Sequence, residues 1–373
     1  MAQTEFKVFF DGSAADRGRL DRIESIEVEQ EVDKAWEATL MIPVCLDEQG
    51  NWSGDDERFM EAFSRIRVEV NPGGGGFVPL IDGPIVGYDT NRNSEPGQSH
   101  IKLLVHDDGV RLNRDANVEA LEGTDAEIAR RVFGEYRDVI SSTRIENTPA
   151  ASGRDGNRAV RRGTHMQLLR QLARRNDMHA CVLPGSRPGT SVGCFQPTPF
   201  EGGDLPELVL LGRHRNIDTF NLQFNAQRPS TVRAASLSLE DKTVVERRSR
   251  YRNVELVGDA PPFESDDEVG SELLAPGTGD GADVQQRVDS ETRRRSRAYD
   301  ASGKLRGICY PGVLEPYRRI VVRMGGTRGS ATYVVQRVKH SLDRSRYVQD
   351  FGLKSDSQSE AGGAGSLVPG GIF

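Results

Sequence analysis

The chain has 373 residues, 36% hydrophobic and 28% charged, and this length predicts two to four domains. Its net charge of -7 gives no overall attraction to nucleic acid or anionic lipid, so specific nucleic-acid binding is not expected. No apolar stretch reaches the ~18 residues of a membrane span, and the N-terminus lacks the pattern of a secretory signal, so we expect no membrane span and synthesis and assembly in a cytoplasm.

The N-terminal segment, residues 1–110, has the pattern of short β-strands. Residues 6–10 end at the turn signal Asp11-Gly12, and residues 77–87 form another extended run. Apolar and charged residues alternate in residues 66–70, which predicts a strand with one apolar and one charged face. Several short strands at this spacing favour a barrel or a sandwich.

Residues 111–205 change to an α+β pattern and are predicted to be an insert. A helix is predicted to begin at Thr124, because Glu127 stands three positions later as in a capping box. A second helix is predicted near Thr164, where four residues form one apolar stripe: Leu168, Leu169, Leu172 and Ala173. Such a stripe indicates a core contact.

Strands return in residues 206–354, the second strand-rich segment. Within it, residues 259–283 are predicted to be a long loop because Gly, Pro and acidic residues dominate. Residues 284–299 are predicted to be an Arg-bearing helix, and arginine runs such as Arg293–Arg295 are interpreted as solvated faces. Residues 355–373 have the composition of a flexible tail.

Residues able to carry chemistry form no recognisable motif. His106-Asp107-Asp108 is the best local cluster for a metal or a general base, but a turn at the end of a strand is the favoured explanation. The four cysteines contain no C-x-x-C pair and are expected to be buried free thiols, with a disulfide between Cys181 and Cys194 as the alternative: Cys45, Cys181, Cys194 and Cys309. The sequence predicts no catalytic residue, no cofactor and no metal site.

Three stretches share patterns with a known family in the same order along the chain. Residues 23–42 contain an acidic Asp33-Lys34-Ala35 turn before a strand, residues 163–183 a Leu-rich helix before a strand, and residues 310–353 a closing strand pair. With residues 77–87 as a fourth match, they resemble the phage late control protein D family, which includes tail hubs of contractile phages and the hub part of VgrG proteins. The resemblance spans nearly the whole chain up to residue 353.

The resemblance implies a mainly β fold with α+β inserts, in which two tandem tube-like β-barrel domains carry helical insert domains. It implies a baseplate hub of a contractile phage tail or phage-like injection system, located in that baseplate. The hub would be a homotrimeric ring that adapts a hexameric inner tube protein to a trimeric central spike protein, with baseplate wedge proteins as further partners.

The apolar end of the tail is a candidate contact with the spike or with a neighbouring subunit. Its members are apolar side chains that are costly to leave in water: Leu367, Val368, Ile372 and Phe373. Because phage tails sometimes carry lysozyme domains, a tail-associated peptidoglycan hydrolase is the alternative function. No carboxylate pair in an apolar context recommends it.

Overall fold

The computed structural model describes most of the chain, in thirteen stretches: residues 5–53, 61–73, 75–149, 158–200, 203, 205–237, 242–253, 255–263, 269–275, 277–278, 281–306, 309–326 and 329–358. The candidate tail contacts Leu367, Val368, Ile372 and Phe373 lie outside these stretches. Within the described part, none of the helices has the length and apolar character to cross a membrane.

Strands predominate in the structure, as predicted. The first segment contains β1 Glu5–Phe10, β2 Ser13–Ala14, α1 Arg17–Leu20, β3 Ser25–Glu31, β4 Glu37–Pro43, β5 Arg65–Asn71, β6 Val78–Asn91, β7 His100–His106 and α2 Gly109–Leu112. The insert contains β8 Asn117–Glu122, α3 Asp125–Gly134, β9 Ile140–Ile145, β10 Arg158–Gly163, α4 His165–Arg175, β11 His179–Pro184 and β12 Ser191–Gln196. The second segment contains β13 Leu205–Val209, β14 Ile217–Phe224, β15 Ser230–Leu237, β16 Val244–Ser249, β17 Gly270–Leu273, β18 Gly277–Thr278, α5 Gly281–Ser296, β19 Tyr299–Leu305, β20 Arg319–Arg323, β21 Ala331–Asp343 and β22 Tyr347–Ser355.

One 13-stranded sheet, the central sheet, runs through both strand-rich segments. Its path is β14-β19-β22-β21-β3-β4-β7-β6-β5-β1-β2, and β20 and β13 branch from β21. The segments join where β21 pairs antiparallel with β3, for example Val338 with Gln30. Within the described part no sheet closes on itself. The mainly β fold is confirmed, whereas the two closed barrels stay a prediction.

Each part of the fold has its own apolar core. The largest core lies mainly in the first segment and also includes insert and second-segment side chains such as Phe200 and Tyr317. A second core lies between the helices and strands of the insert, and a third fills the second segment. The β15–α5 module (β15 to β18 with α5) has a small core of Val232, Ala234, Val284 and Val288. The insert helices α3 and α4 begin at capping boxes on Thr124 and Thr164, which confirms both predicted starts.

Three predicted boundaries differ from the structure. Residues 259–283 are not one loop, because they contain β17, β18 and the first turn of α5. The helix predicted over 284–299 ends at Ser296, since Tyr299 begins β19 and pairs with β14 and β22. The predicted tail begins too early at 355: Ser355 to Ser357 are buried, and Ser355 Oγ donates to Thr332 O at 2.7 Å.

Candidate assembly site

A row of charged side chains crosses the exposed face of the central sheet. The row follows paired residues on six neighbouring strands, β19, β22, β21, β3, β4 and β7: Lys304, Asp350, Lys339, Glu29, Glu37 and His106. Lys304 Nζ lies 3.9 Å from an Asp350 oxygen, and Lys339 Nζ lies 4.0 Å from a Glu29 oxygen. This charged row therefore runs without interruption from the second segment into the first.

The opposite face of the same junction is buried and polar at one point. His340 on β21 is fully buried, with Nε2 3.1 Å from Gln30 Oε1 and Nδ1 2.9 Å from the Tyr347 hydroxyl. Because Gln30 Oε1 can only accept, His340 donates from Nε2 and accepts at Nδ1 from Tyr347. Burial lowers the pKa of His340 to about 3, so this imidazole is neutral at physiological pH.

A buried ionic network attaches the insert to the first segment. Arg67 is 2% exposed and donates from Nε to Glu69 Oε1 at 2.7 Å and from its guanidinium to Asp82 Oδ2 at 3.0 Å. The same guanidinium donates to Gly185 O at 2.8 Å, and Gly189 N donates to Asp82 Oδ2 at 2.9 Å. The β11–β12 loop of the insert thus covers this charged face. The charged face of residues 66–70 is therefore buried, although its charged residues resemble a solvent-exposed face in sequence.

The network continues through Arg65 to the carboxylates that follow β7. Arg65 donates to Asp82 Oδ1 at 2.8 Å and to Asp108 Oδ2 at 2.6 Å, and Ser191 Oγ also donates to Asp108 at 2.6 Å. Asp107 accepts hydrogen bonds from Trp36 N at 2.5 Å and Gly109 N at 2.7 Å. Burial raises the pKa of Asp107 to about 7.

The cluster His106-Asp107-Asp108 therefore separates into different structural contacts. The His106 ring lies 3.5 Å from Glu37 on the exposed face, while both carboxylates point into the protein. No group of three or more potential metal ligands occurs among the residues described. The cluster follows the end of β7, as the turn interpretation predicted, and its carboxylates hold backbone groups and arginines in place.

Tyr317 brings all three parts of the chain together at one point. Its buried ring stacks on Phe200 with centroids 4.4 Å apart, and its hydroxyl accepts from Asp33 N at 2.9 Å. Asp33, in the turn after β3, also lies 2.8 Å from His179 Nδ1 at the start of β11. The sequence carries no local signal for Tyr317, because the partners of its ring and hydroxyl, Phe200 and Asp33, lie more than 100 residues away.

The cysteines are all free, and two of them lie opposite each other. Cys181 on β11 and Cys194 on β12 are paired residues, both buried. The alternative of a disulfide between them is therefore not formed in this structure. Burial raises the pKa of the Cys181 thiol, which makes it less reactive. Cys45 and Cys309 are exposed, so the prediction that they are buried is wrong.

Helix α5 is attached to the insert by the arginines interpreted as a solvated face. Arg293 and Arg294 approach the Asp177 carboxylate at 3.3 and 3.8 Å. Arg295 instead pairs with Glu272 on β17 at 2.7 Å and with Glu291 at 3.0 Å. These side chains are 50%, 22% and 41% exposed, so the run is partly solvated as interpreted, and it also connects α5 to the turn after α4 and to β17.

The fold is that of phage tail proteins. The structure resembles a tail protein from Neisseria meningitidis MC58 with a TM-score of 0.64 and 14% identity, over 95% of this chain and 97% of that one. It resembles the 43 kDa tail protein of prophage MuSo2 from Shewanella oneidensis with a TM-score of 0.61 and 12% identity, over 96% and 100%. No protein-family model and no curated protein sequence matches the chain.

A component of a bacterial secretion system shares this fold. The E. coli c3393 protein, described as a type VI secretion component with structural similarity to the T4 tail proteins gp27 and gp5, has a TM-score of 0.51 and 10% identity over 98% of this chain and 80% of that one. The predicted resemblance to tail hubs is thus confirmed at the level of the fold. These three structures are described as tail or secretion components and not as enzymes.

Proposed function

We propose that this protein is a structural baseplate hub of a contractile phage tail or of a phage-like injection system. In this role three copies form a ring that adapts a hexameric inner tube to a trimeric central spike. The observation that carries the proposal is the central sheet, which crosses both strand-rich segments and carries a row of charged side chains across six neighbouring strands, from β19 to β7. A ring wall around a passage for cargo needs a continuous surface of this kind.

The arrangement of long strands supports the symmetry that this role requires. Each segment contains one unusually long strand, β6 with 14 residues and β21 with 13. The first half of β6 pairs with β5 and its second half with β7. Similarly, β21 pairs with β20 near its start and with β3 towards its end. Two comparable segments per chain give six in a trimer, which is the number that a hexameric tube presents.

The closed barrels belong to the same proposal. In the second segment, β13 and β14 come together where Asn216 N donates to Val209 O at 2.8 Å, and the two strands form no ladder beyond that point. We infer that the two sheet regions act as barrels completed by neighbouring subunits, since an open edge offers unpaired backbone groups. The partners are the inner tube protein, the central spike protein and the baseplate wedge proteins.

Assembly of the purified protein tests the proposal. We expect native mass spectrometry to give a particle of three chains of 41.1 kDa each, and electron microscopy to show it capping tubes of the inner tube protein. A chain that stays monomeric up to high concentration and leaves tube ends bare contradicts the proposal. In a zymogram on peptidoglycan we expect no clearing, and a cleared band favours the hydrolase alternative.

The tail candidates Leu367, Val368, Ile372 and Phe373 are proposed to contact the spike or a neighbouring subunit. Because residues 355 to 357 are buried in the fold, the informative deletion removes residues 359–373 and leaves β22 intact. We expect the shortened chain to fold with an unchanged melting temperature and to lose spike retention in assembled particles. Particles that keep the spike contradict this role of the tail.

A further inference from the structure

We propose that the insert binds an extended segment of another protein in a groove between strand β10 and helix α4. The segment adds to the free edge of β10 and carries an aliphatic side chain and a carboxylate two positions apart. This site is independent of the ring proposed above, because the residues that line the groove all lie in the insert of one chain.

The groove exists because β10 leads directly into α4. Gly163 is the last residue of the strand, and Thr164 caps the helix, so the two elements meet at this corner and enclose a space beside it. The cavity in this space has a volume of about 330 Å³ and is partly open to solvent. Cavities of a few hundred Å³ are typical of ligand pockets in proteins.

Helix α4 supplies one wall of the groove. Its four lining residues recur at spacings of three and four positions, which places them on one helix face: Leu168, Gln171, Leu172 and Arg175. The two leucines are buried in the insert core and form an apolar floor, while Gln171 is exposed at the rim. Arg175 is held in place because its Nε donates to Asp125 Oδ2 at 2.5 Å. This wall therefore accepts an apolar side chain.

Strand β10 supplies the other wall, and its outer edge is free. In the described part of the chain β10 pairs with β8 alone, and its backbone makes no other backbone hydrogen bond there. Alternate N–H and C=O groups of such an edge point away from the strand pair. An extended peptide satisfies these groups by adding a strand, and pockets beside the edge then select its alternate side chains.

The side chains of β10 determine what the added strand carries. Val160 is 49% exposed, and Arg162, two positions further, lies on the same side of the strand. Arg162 is exposed, and among the described residues its guanidinium has neither an ion pair nor a hydrogen bond. Because Asp125 neutralises Arg175, Arg162 supplies the free positive charge of the groove. A carboxylate opposite Arg162 and an aliphatic side chain opposite Val160 complement this strand.

Selection from a random library tests the groove. The full-length protein selects from random decapeptides displayed on ribosomes, and we expect the selected peptides to share an aliphatic residue and a carboxylate two positions apart. Gln171→Trp fills the groove with an indole and selects none of them. The control Arg174→Trp, at a position 72% exposed on another face of α4, selects the same set. If the unmodified protein selects no peptide, or the Gln171→Trp protein selects the same set, the proposal is overturned.

The affinity of one selected peptide tests the role of Arg162. Fluorescence polarisation gives its dissociation constant for the unmodified protein, for Arg162→Glu and for the control Arg213→Glu, which is exposed in the loop between β13 and β14. We expect at least about a tenfold loss of affinity for Arg162→Glu and none for the control. A lysine in place of the peptide carboxylate restores binding to Arg162→Glu. Equal affinities overturn the charge recognition. Circular dichroism establishes that each variant is folded.

Methylation of the peptide backbone tests strand addition itself. Each N-methyl group removes one amide donor, and only alternate amides of an added strand face β10. We expect the affinity to fall at every second position and to stay nearly unchanged between them. Affinities with no such alternation along the peptide overturn strand addition.

Competition distinguishes another protein from a copy of this chain. A synthetic peptide of residues 359–373 with an amidated end is added to the complex with the selected peptide. Its acidic side chain, Glu360, has Gln358 and Gly362 two positions away, so we expect no displacement. Displacement at equal concentration assigns the groove to a copy of this chain and overturns the assignment to another protein.

Discussion

The central sheet and the β15–α5 module are held together in different ways. Around the first segment, the sheet encloses a large apolar core and a buried ionic network centred on Arg67 and Asp82. The module has four buried aliphatic residues in its core and depends on ion pairs and hydrogen bonds with the end of α4. Because apolar burial supplies most folding free energy, the sheet has a larger reserve of stability than the module.

The largest expected effect comes from removing the central cation of the buried network. Arg67→Met leaves Glu69 and part of the Asp82 charge buried without its partner, and we expect a loss of about 3–5 kcal/mol in the free energy of unfolding, measured in urea. Arg337→Met is the matched control, since its partner Glu29 is 48% exposed and the pair contributes about 0–1 kcal/mol. Equal losses in the two variants contradict the role of the network.

The next effect is local and tests the weakness of the module. Val288→Ala removes two methyl groups from its four-residue core, and we expect a loss of about 2 kcal/mol that appears as faster amide exchange in β15 and β16. Val28→Ala at a buried position of β3 is the comparison. There we expect the loss in global unfolding, with no selective opening of β3. If amide exchange accelerates uniformly along the chain in both variants, the module does not open separately from the central sheet.

A third effect is a pH dependence confined to the sheet. The pKa of His340 is about 3 in the folded state and 6.5 ordinarily, so the unfolded state binds more protons between these values. His340 therefore destabilises the fold as pH falls from 6.5 towards 3, by up to about 1.4 kcal/mol per pH unit. We expect His340→Gln to be less stable than the unmodified protein at neutral pH. We also expect its free energy of unfolding, measured in urea, to depend less steeply on pH.

Comparing the pH dependence of stability in the unmodified protein and in His340→Gln separates the contribution of His340 from that of Asp107. The raised pKa of Asp107, about 7, gives the opposite slope between its ordinary value of 3.8 and 7, and this contribution is present in both proteins. No buried histidine lies in the described part of the module. Amide exchange in β15 and β16 should therefore follow the same pH course in both proteins. If the free energy of unfolding depends on pH equally steeply in the two proteins, the pH dependence does not come from His340.

The smallest effect belongs to the exposed charged row. Lys339→Ala removes a side chain 30% exposed that lies 3.1 Å from Glu27, and we expect a loss below about 1 kcal/mol that shrinks further in high salt. If the row lines a ring, its function lies in the surface it presents more than in stability. A loss as large as that of Arg67→Met contradicts the contrast between exposed and buried pairs.

Local patterns predicted many elements and missed their long-range contacts. The capping boxes at Thr124 and Thr164 and the alternation of β5 depend on residues a few positions apart, which a single sequence displays. The burial of Arg67 depends on a loop 118 residues further along, and the β3–β21 junction joins residues about 300 positions apart. No periodicity carries that information.

The candidate site was harder to predict than the fold. The family patterns directed attention to Asp33 and to the strands of residues 310–353, and both take part in the junctions. They gave no indication of Tyr317 or of the row of paired charges, because such a row exists only after six strands from both segments come into register. The apolar tail residues lie outside the described part, and their role stays a prediction.

The β3–β21 junction also determines how the protein carries mechanical force. Seven consecutive residue pairs, from Arg337 with Glu31 to Asp343 with Ser25, connect the two segments through antiparallel hydrogen bonds. A load along the strand direction stretches all of these bonds at once, whereas a load across the strands opens them one after another. If the chain forms the proposed hub, this junction resists thrust best when the thrust acts parallel to β3 and β21.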